Sequence, residues 1–309
     1  MNRYAPEGTY MTRPENREAL SSLESLEKAM DRGEILEAVA RLCDSELTLH
    51  FMLGGIPAIM PREEVQYVQA GEPVKDIAVL TRVGKPVCFK VIGFTRCEDG
   101  QRAAVISRRA AQQECLCSFV AALSPGDIIP SKVTHMESFG AFVDIGCGIV
   151  SLLSIDCISV SRISHPSDRF SVGDRIFTVV RRIDEEGRIY VTHKELLGTW
   201  EENAALFSAG ETVIGTVRSI ESYGIFVELL PNLAGLAEYK AGVEVGDTAA
   251  VYIKSILPER MKIKLIIIDA HKEPMPKNLR YFKDTASCEH ISHWIYSPPT
   301  SQKRIETVF

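Results

Sequence analysis

The chain has 309 residues, of which 45% are hydrophobic and 25% are charged, an ordinary composition for a globular protein of about two or three domains. Its formal net charge of -6 argues against a histone-like protein that holds nucleic acid by bulk charge alone. No run of about 18 apolar residues and no apolar signal core occurs, so we expect a cytoplasmic protein without a membrane partner.

The first predicted element is an amphipathic helix within an N-terminal segment, residues 1–33. Residues 1–13 show no periodic pattern and are expected to be unstructured. From Pro14 onward, leucines recur at spacings of three and four, and Gly33 occupies the usual position for ending a helix. We expect the apolar face of this helix to pack on the β module that follows; the alternative is that it docks a partner.

The next segment, residues 34–110, reads as a small barrel. It contains five short strand-like runs separated by polar turns, a pattern typical of small closed sheets. The runs lie at 35–39, 47–53, 59–61, 87–92 and 103–107. A helical linker is predicted over residues 111–124.

The remaining chain contains a repeat. Residues 139–143 (FGAFV) return as residues 223–227 (YGIFV), and both copies continue with an acidic residue. This repetition predicts two further β modules joined by a helical linker and followed by a largely irregular tail. The modules span 125–193 and 208–268, the linker spans 194–207, and the tail spans 269–309. Trp294 and Tyr296 indicate that the tail packs on something, either the barrels or a partner.

Strand parity predicts that the repeated motif shows aromatic rings to solvent. Successive side chains of a strand point to opposite faces, so Phe142 and Asp144 share one face and their aliphatic neighbours share the other. The face with the carboxylate is expected to meet solvent, and Phe226 with Glu228 repeats the arrangement. Exposed rings offer a surface on which unpaired bases stack. The alternative is that the barrel curls over Phe142 and Phe226 and buries them.

At these residues the sequence resembles the S-one RNA-binding domain, an OB-fold family that takes its name from a bacterial small-subunit ribosomal protein. The FGxFV motif, a Gly-Asp pair at Gly173 and a closing Ile-Asp…Arg-Ile hairpin at 183–189 carry the resemblance in the second module. The third module repeats most of it, and the first resembles a diverged member. The resemblance covers about residues 34–268 and implies a mainly β fold of tandem five-stranded OB barrels.

The resemblance also implies which residues bind RNA. In this family the two aromatics of the motif, a histidine, and an Asp and an Arg of the last hairpin do so. Carried over, and extended by polar residues near the same strands, the candidates are Phe139, Phe142, Lys132, Thr134, His135, Ser154, Asp184, Arg188, Tyr223, Phe226, Arg218 and Lys262. The family histidine is absent: Ser154 replaces it in the second module and Glu238 in the third. Because Glu238 would repel phosphate, we expect the second module to be the stronger RNA site.

No constellation for catalysis, cofactor binding or metal binding stands out, so neither an enzyme nor a cofactor is predicted. The eight cysteines form no CxxC pair and are expected to be reduced. Residues 288–293 (CEHISH) could offer three ligands to zinc, but no fourth ligand lies near them in the sequence.

Three functional hypotheses follow. The leading one is a non-enzymatic protein of the translation apparatus that holds single-stranded RNA, including mRNA, across its barrels, with the first module docking on the small ribosomal subunit by family analogy. The second is an RNA-binding regulator of decay or transcription that acts off the ribosome. The third is a protein-interaction scaffold whose barrels have lost RNA, a reading that the missing histidine and the net charge of -6 favour slightly. The sequence does not predict an oligomeric state.

Overall fold

A computed structural model describes residues 3–68, 72–97, 100–273, 275–277, 279–285 and 287–309. The chain divides into two compact units. Unit 1 comprises Met1–Leu123, Pro130–Lys132 and Asp144–Val150, and unit 2 comprises Ser124–Ile129, Val133–Val143 and Ser151–Phe309. The predicted fold class, mainly β with tandem OB-type modules, is confirmed.

The first module, in unit 1, is a sheet of six strands in the order β1-β5-β6-β4-β3-β2. Its strands are β1 (Leu36–Val39), β2 (Leu42–Cys43), β3 (Leu49–Leu53), β4 (Ile56–Met60), β5 (Pro86–Arg96) and β6 (Arg102–Ser107). The sixth strand, beyond the five predicted, is the short β2, which pairs with β3. Strands β4 and β6 run parallel, with Ala58 opposite Ala104, and all other pairs of this sheet are antiparallel.

The predicted N-terminal helix is broken into two. Helix α1 (Pro14–Ala19) ends before Ser22, whose side chain accepts a hydrogen bond from the amide of Ser25 and caps α2 (Leu23–Asp31). A serine at this position competes for the backbone N–H groups that a continuous helix would need, so it starts a new helix instead. Leu26 of α2 is fully buried in the core of the first module, where the apolar face was expected to pack.

The segment before α1 was predicted to be unstructured, and this prediction is wrong. Tyr10 is buried, and the carboxylate of Glu37 accepts hydrogen bonds from the amides of Tyr10 (2.8 Å) and Met11 (3.0 Å). Farther upstream, the amide of Glu7 donates to the carboxylate of Asp144 over 2.7 Å, within unit 1. Buried carboxylates therefore satisfy backbone donors of a segment that carries no periodic apolar signal.

The second and third modules are closed barrels with the orders β10-β11-β9-β8-β7 and β12-β13-β14-β16-β15. The strands are β7 (Ile128–Glu137), β8 (Gly140–Asp144), β9 (Val150–Ser154), β10 (Arg175–Ile183), β11 (Ile189–Thr192), β12 (Thr212–Glu221), β13 (Gly224–Leu230), β14 (Leu233–Ala237), β15 (Thr248–Leu257) and β16 (Lys262–His271). Each barrel contains one parallel pair, β9 with β11 and β14 with β16. The aliphatic residues Ala141, Val143, Ile225 and Val227 are fully buried, as parity predicts.

Short helices lie between and within the modules. They are α3 (Asp76–Leu80) in the first module, α4 (Arg108–Ser118) before the second barrel and α5 (Trp200–Ala204) before the third. No helix of the described residues is long and apolar enough to cross a membrane. All eight cysteines are free thiols.

The tail adds a small antiparallel sheet of β17 (His293–Ile295) and β18 (Glu306–Val308), with little other regular structure among its described residues. Trp294 and Tyr296 are buried in the core of unit 2. The Tyr296 hydroxyl donates to the carbonyl of Asn232 (2.5 Å). The backbone carbonyl of Tyr296 accepts a hydrogen bond from the amide of Trp200 (2.9 Å). These aromatic side chains therefore pack on the chain's own barrels, which settles the choice that the sequence left open.

Candidate nucleic-acid interface

Two pairs of aromatic rings lie on the barrels of unit 2 in the same geometry. Phe139 meets Phe142 edge to face, with ring centroids 6.0 Å apart and planes at 89°. Tyr223 meets Phe226 in the same way, at 6.1 Å and 89°. The first ring of each pair is largely exposed, 53% for Phe139 and 67% for Tyr223, and the second is half-buried. Phe142 and Phe226 are thus neither buried in the barrel interiors nor fully open to solvent.

Glycine sets the geometry of each pair. A Cβ atom at Gly140 would lie 2.5 Å from the carbonyl oxygen of Leu153, so β8 and β9 could not approach as closely. At Gly224 a Cβ atom would lie 2.4 Å from the carbonyl oxygen of Ala237, and φ is +148°, a conformation that L side chains rarely adopt. Glycine therefore permits the close strand contact at the start of β8 and of β13.

Polar residues of β7 border the ring pair of the middle barrel. His135 is exposed and stacks on Phe142, with centroids 6.1 Å apart and planes at 21°. Its Nε2 lies 2.6 Å from a carboxylate oxygen of Glu137, and the Thr134 hydroxyl donates to the Phe142 carbonyl over 3.0 Å. Ser154, at the end of β9, is half-buried beside Gly140. Of the predicted polar residues, His135 is therefore the one whose ring stacks on Phe142. We call the ring pair of Phe139 and Phe142 the platform.

The predicted Asp–Arg pair of the last hairpin is formed. The Asp184 carboxylate accepts the Nε–H of Arg188 over 2.9 Å and the Arg188 amide over 2.8 Å. Burial raises the pKa of Asp184, but the hydrogen bonds from Arg188 outweigh it and hold that pKa below its usual value. Glu186 accepts a second hydrogen bond from the Arg188 guanidinium, at 2.5 Å. Arg188 is 67% exposed, so its charge is held in place while remaining reachable from solvent.

Two predicted basic residues are engaged elsewhere. The Lys132 ammonium donates to the carbonyl of Glu7 over 2.7 Å, within unit 1. The Arg218 guanidinium donates to both carboxylate oxygens of Glu228, at 3.0 and 3.1 Å, and is mostly buried. Lys262, the third module's counterpart of Arg188, is exposed at the start of β16. The RNA-binding roles of these residues stay predictions.

The expectation that the acidic residue after each motif faces solvent is wrong. Asp144 is 1% exposed and accepts amides of Glu7, Gly146 and Gly148. Glu228 is 7% exposed, because Arg218 and the buried Arg169 both donate to it. Parity correctly placed these carboxylates on the outer side of their strands, but other parts of the chain cover that side.

Sequence reasoning missed Tyr190 and Arg182. Tyr190 stands in β11 between the buried residues Ile189 and Val191, and is itself half-buried. Its hydroxyl lies 3.4 Å from a carboxylate oxygen of Asp184, and the guanidinium carbon of Arg182 lies 3.8 Å from its ring centroid. The alternation of side chains that placed Phe142 on the outer face of β8 also predicts that Tyr190 lies on the outer face of β11.

The zinc hypothesis for residues 288–293 finds no geometric support. His290 pairs with Asp127 (2.8 Å) and His293 with Glu306 (2.7 Å), so the two rings are held by different partners. Throughout the part of the chain that the structure describes, no group of three or more His, Cys, Asp or Glu could hold a metal ion.

Comparison with known families identifies the middle barrel. Residues 123–194 match the family model of the S1 RNA binding domain, the family written S-one above. The middle barrel is an S1 domain. The resemblance inferred from FGxFV and the closing hairpin is thereby confirmed.

Relatives match a larger part of the chain. Small ribosomal subunit protein bS1 of Leuconostoc lactis is 30% identical over 204 residues, which cover 62% of this chain and 47% of that protein. The bS1 homolog of Bacillus subtilis (strain 168) is 28% identical over 284 residues, covering 88% and 70% respectively. The chain thus spans about half the length of the first relative. Among solved structures, the solution structure of GSP13 from Bacillus subtilis matches 23% of this chain and 55% of that chain, at 28% identity and a TM-score of 0.22.

Proposed function

We propose that this protein is a non-enzymatic, cytoplasmic factor of translation that binds single-stranded RNA, including mRNA, by stacking bases on the ring pairs of its barrels. The observation that carries the proposal is the recurrence of one edge-to-face ring pair, with its glycine, on two consecutive barrels. Interior packing does not require a ring that is more than half exposed, so conservation of this geometry between the two copies favours a binding role.

The chemistry of the site suits unpaired RNA. Every base has a π-face that stacks on an aromatic ring regardless of sequence, and such stacking supports binding with low sequence preference. In the same barrel as the ring pair, Arg188 supplies a charge-assisted donor for phosphate, positioned by Asp184. A net charge of -6 is compatible with this mode, because binding relies on local contacts rather than on the total charge.

We expect the S1 domain to bind more tightly than the third barrel. Arg188 has a counterpart in Lys262, but Asp184 is replaced by Pro258, so nothing in that hairpin corresponds to the Asp–Arg pair. Glu238, exposed after β14, adds a negative charge where phosphate would approach. The third barrel thus offers a ring pair but attracts phosphate less strongly than the S1 domain does.

The decisive experiment is a titration of single-stranded RNA against the wild type and the Phe139→Ala/Phe142→Ala variant. Loss of the rings should weaken binding by about 1–3 kcal/mol per stacked base. The matched control is Tyr223→Ala/Phe226→Ala, which removes the equivalent pair from the third barrel and should cost less. Unchanged affinity in the first variant, with the fold intact by circular dichroism, would refute the proposal.

A role on the ribosome is the finer part of the proposal. It rests on the similarity to bS1 proteins, and we assign the first module to docking on the small ribosomal subunit. Co-sedimentation of the full chain with small subunits at moderate salt is the expected result. Recovery of the protein only in the free pool would favour the alternative, a regulator of RNA decay or transcription that acts off the ribosome.

A further inference from the structure

The S1 domain carries a second planar surface beside its ring pair. Arg182 of β10 pairs with Tyr190 of β11, and the guanidinium carbon lies 3.8 Å from the tyrosine ring centroid. At that distance the cation lies against the face of the ring. The Tyr190 hydroxyl reaches to 3.4 Å from the Asp184 carboxylate, which fixes the ring at its far edge. We call Tyr190 and Arg182 the Tyr–Arg stack.

A β-bulge places the arginine. The register of β10 and β11 shifts between Val180 and Arg182, which leaves Arg181 as the extra residue. Bulges redirect the side chains on either side of the inserted residue. Arg181 donates to the sulfur of Cys157 over 2.9 Å, whereas Arg182 turns onto Tyr190. The stack is therefore built by the strand geometry and does not result from a chance contact of flexible side chains.

The tyrosine of the stack lies on β11, two strands away from β8, which carries Phe142. Tyr190 is opposite Leu152 of β9, and β9 is the neighbour of β8, which carries Phe142. Two strand spacings, about 10 Å, separate such positions across a sheet. The third barrel shows the same row in register: Phe226, Leu236 and Lys264.

The two barrels differ at this point. In the third barrel the positions of Tyr190 and Arg182 are occupied by Lys264 and Ser255, which pair across β15 and β16 with the same bulge before them. That barrel has the ring pair but not the planar stack beyond it. The stack is thus a feature of the S1 domain alone among these two barrels.

We propose that the Tyr–Arg stack holds one further unpaired base of single-stranded RNA, beyond those on Phe139 and Phe142. This inference rests on the proposed function, since it extends the same binding surface. Arg182 lies over the face of the tyrosine ring and is exposed, and RNA-binding proteins stack bases on arginine planes as well as on aromatic rings. The guanidinium N–H groups suit a neighbouring phosphate.

The test measures affinity against RNA length, with a series of oligouridylates from two to eight nucleotides. For the wild type, affinity should rise in one step at the length at which the strand reaches the stack. Tyr190→Ala should remove that step, at least about fivefold in affinity for the longer strands, while affinity for the shortest strands is unchanged. If Tyr190→Ala folds like the wild type and weakens binding of all lengths equally, Tyr190 holds no separate base and the proposal is overturned.

Three further variants sharpen the result. Tyr190→Phe keeps the ring and should keep the step, and Arg182→Ala, at an exposed position, should reduce it even if Tyr190→Ala folds poorly. Lys264→Ala removes a cation at the corresponding position of the third barrel and should leave the step intact. If Lys264→Ala abolishes the same step, charge on the other barrel explains it and the proposal is wrong.

The outcomes separate this inference from the proposed function. If Phe139→Ala/Phe142→Ala leaves binding unchanged, the RNA site itself is misplaced and both ideas fail. If that variant loses affinity while Tyr190→Ala and Arg182→Ala match the wild type at every length, the platform stands and the Tyr–Arg stack alone is refuted.

Discussion

Arg188, which we propose binds a phosphate, is an exposed cation held by two carboxylates. Its guanidinium donates to Asp184 at 2.9 Å and to Glu186 at 2.5 Å. All three residues belong to the turn between β10 and β11. An exposed ion pair of this kind adds little to stability. In the proposed function this pair orients the arginine donors: we expect a phosphate oxygen to displace Glu186 while Asp184 keeps the side chain in place.

We therefore predict that Arg188→Ala weakens RNA binding and makes the dependence of log affinity on log salt shallower by about one unit, as the loss of one phosphate contact requires. Affinity is measured by fluorescence titration at several salt concentrations. Arg304→Ala is the control, because Arg304 is an exposed arginine of the tail that is also paired with a carboxylate, Glu306. An unaltered slope for Arg188→Ala would remove this residue from the RNA site.

His193 provides a prediction about pH. It is fully buried, its Nδ1 lies 3.0 Å from the Ile158 carbonyl oxygen, and its Nε2 lies 3.3 Å from the Tyr281 hydroxyl. Burial lowers its pKa from 6.5 to about 4, and the nearby Arg169 adds to the effect, while the hydrogen bond to Ile158 opposes it. The folded protein therefore holds this ring neutral where the unfolded chain would protonate it.

The direction in which stability changes with pH follows from proton binding. Between pH 6.5 and about 4 the unfolded state binds more protons at His193, so stability is complete above 6.5 and falls as the pH drops towards 4. The loss is on the order of 3 kcal/mol over that window. Urea unfolding at a series of pH values measures it, and His193→Gln should flatten that part of the profile. A variant that keeps the full slope would show that other groups cause it.

At the scale of elements, the contact between β8 and β9 determines where the rings of the S1 domain lie. Gly140 permits the backbone of Leu153 to approach at the start of β8, between Phe139 of the preceding turn and Phe142 of the strand. The requirement is steric, since the added Cβ would meet a carbonyl oxygen rather than the movable end of a side chain. A substitution here must separate two strands or tilt the motif.

Gly140→Ala is expected to destabilise the protein by about 1–3 kcal/mol, through forced backbone shifts, and to weaken RNA binding along with it. The control is Gly93→Ala in β5, where an added Cβ meets nothing within 4 Å. Stability is measured by denaturant unfolding and affinity by RNA titration. If both variants behave alike, the close approach of β8 and β9 is not what constrains the motif.

At the scale of the whole molecule, the tail contributes buried side chains to the core of unit 2. Trp294 is 3% exposed and packs in the same apolar cluster as barrel residues such as Val217 and Leu265. The hairpin of β17 and β18 that carries it has few strand hydrogen bonds of its own. Its order therefore depends on burial against the barrels.

Trp294→Ala should destabilise unit 2 by about 3–5 kcal/mol, the usual cost of removing a buried aromatic side chain. Val308→Ala, in the paired strand but 71% exposed, should change stability by less than about 0.5 kcal/mol. Hydrogen exchange followed by mass spectrometry locates the effect. Faster exchange in unit 2 with unit 1 unchanged is expected, and an even loss of protection in both units would contradict the division.

The sequence by itself was sufficient to predict the repeat, the mainly β fold and the ring pairs. Alternation with period two is a local property of a strand, so Val143 and Val227 could be assigned to the core and Phe142 and Phe226 to the outer side without coordinates. The motif also led to the S1 domain, because its glycine and aromatics carry a specific local geometry.

Only the tertiary structure decided what covers the outer sides of those strands. Asp144 and Glu228 lie on the outward parity and are nonetheless buried, by residues distant in the sequence such as Glu7 and Arg169. The order of residues 3–13, the packing of Trp294 and the stack of Arg182 on Tyr190 depend likewise on contacts between separate segments or across strands. Periodicity reports the direction of a side chain from its own strand, whereas burial depends on which other part of the chain arrives there.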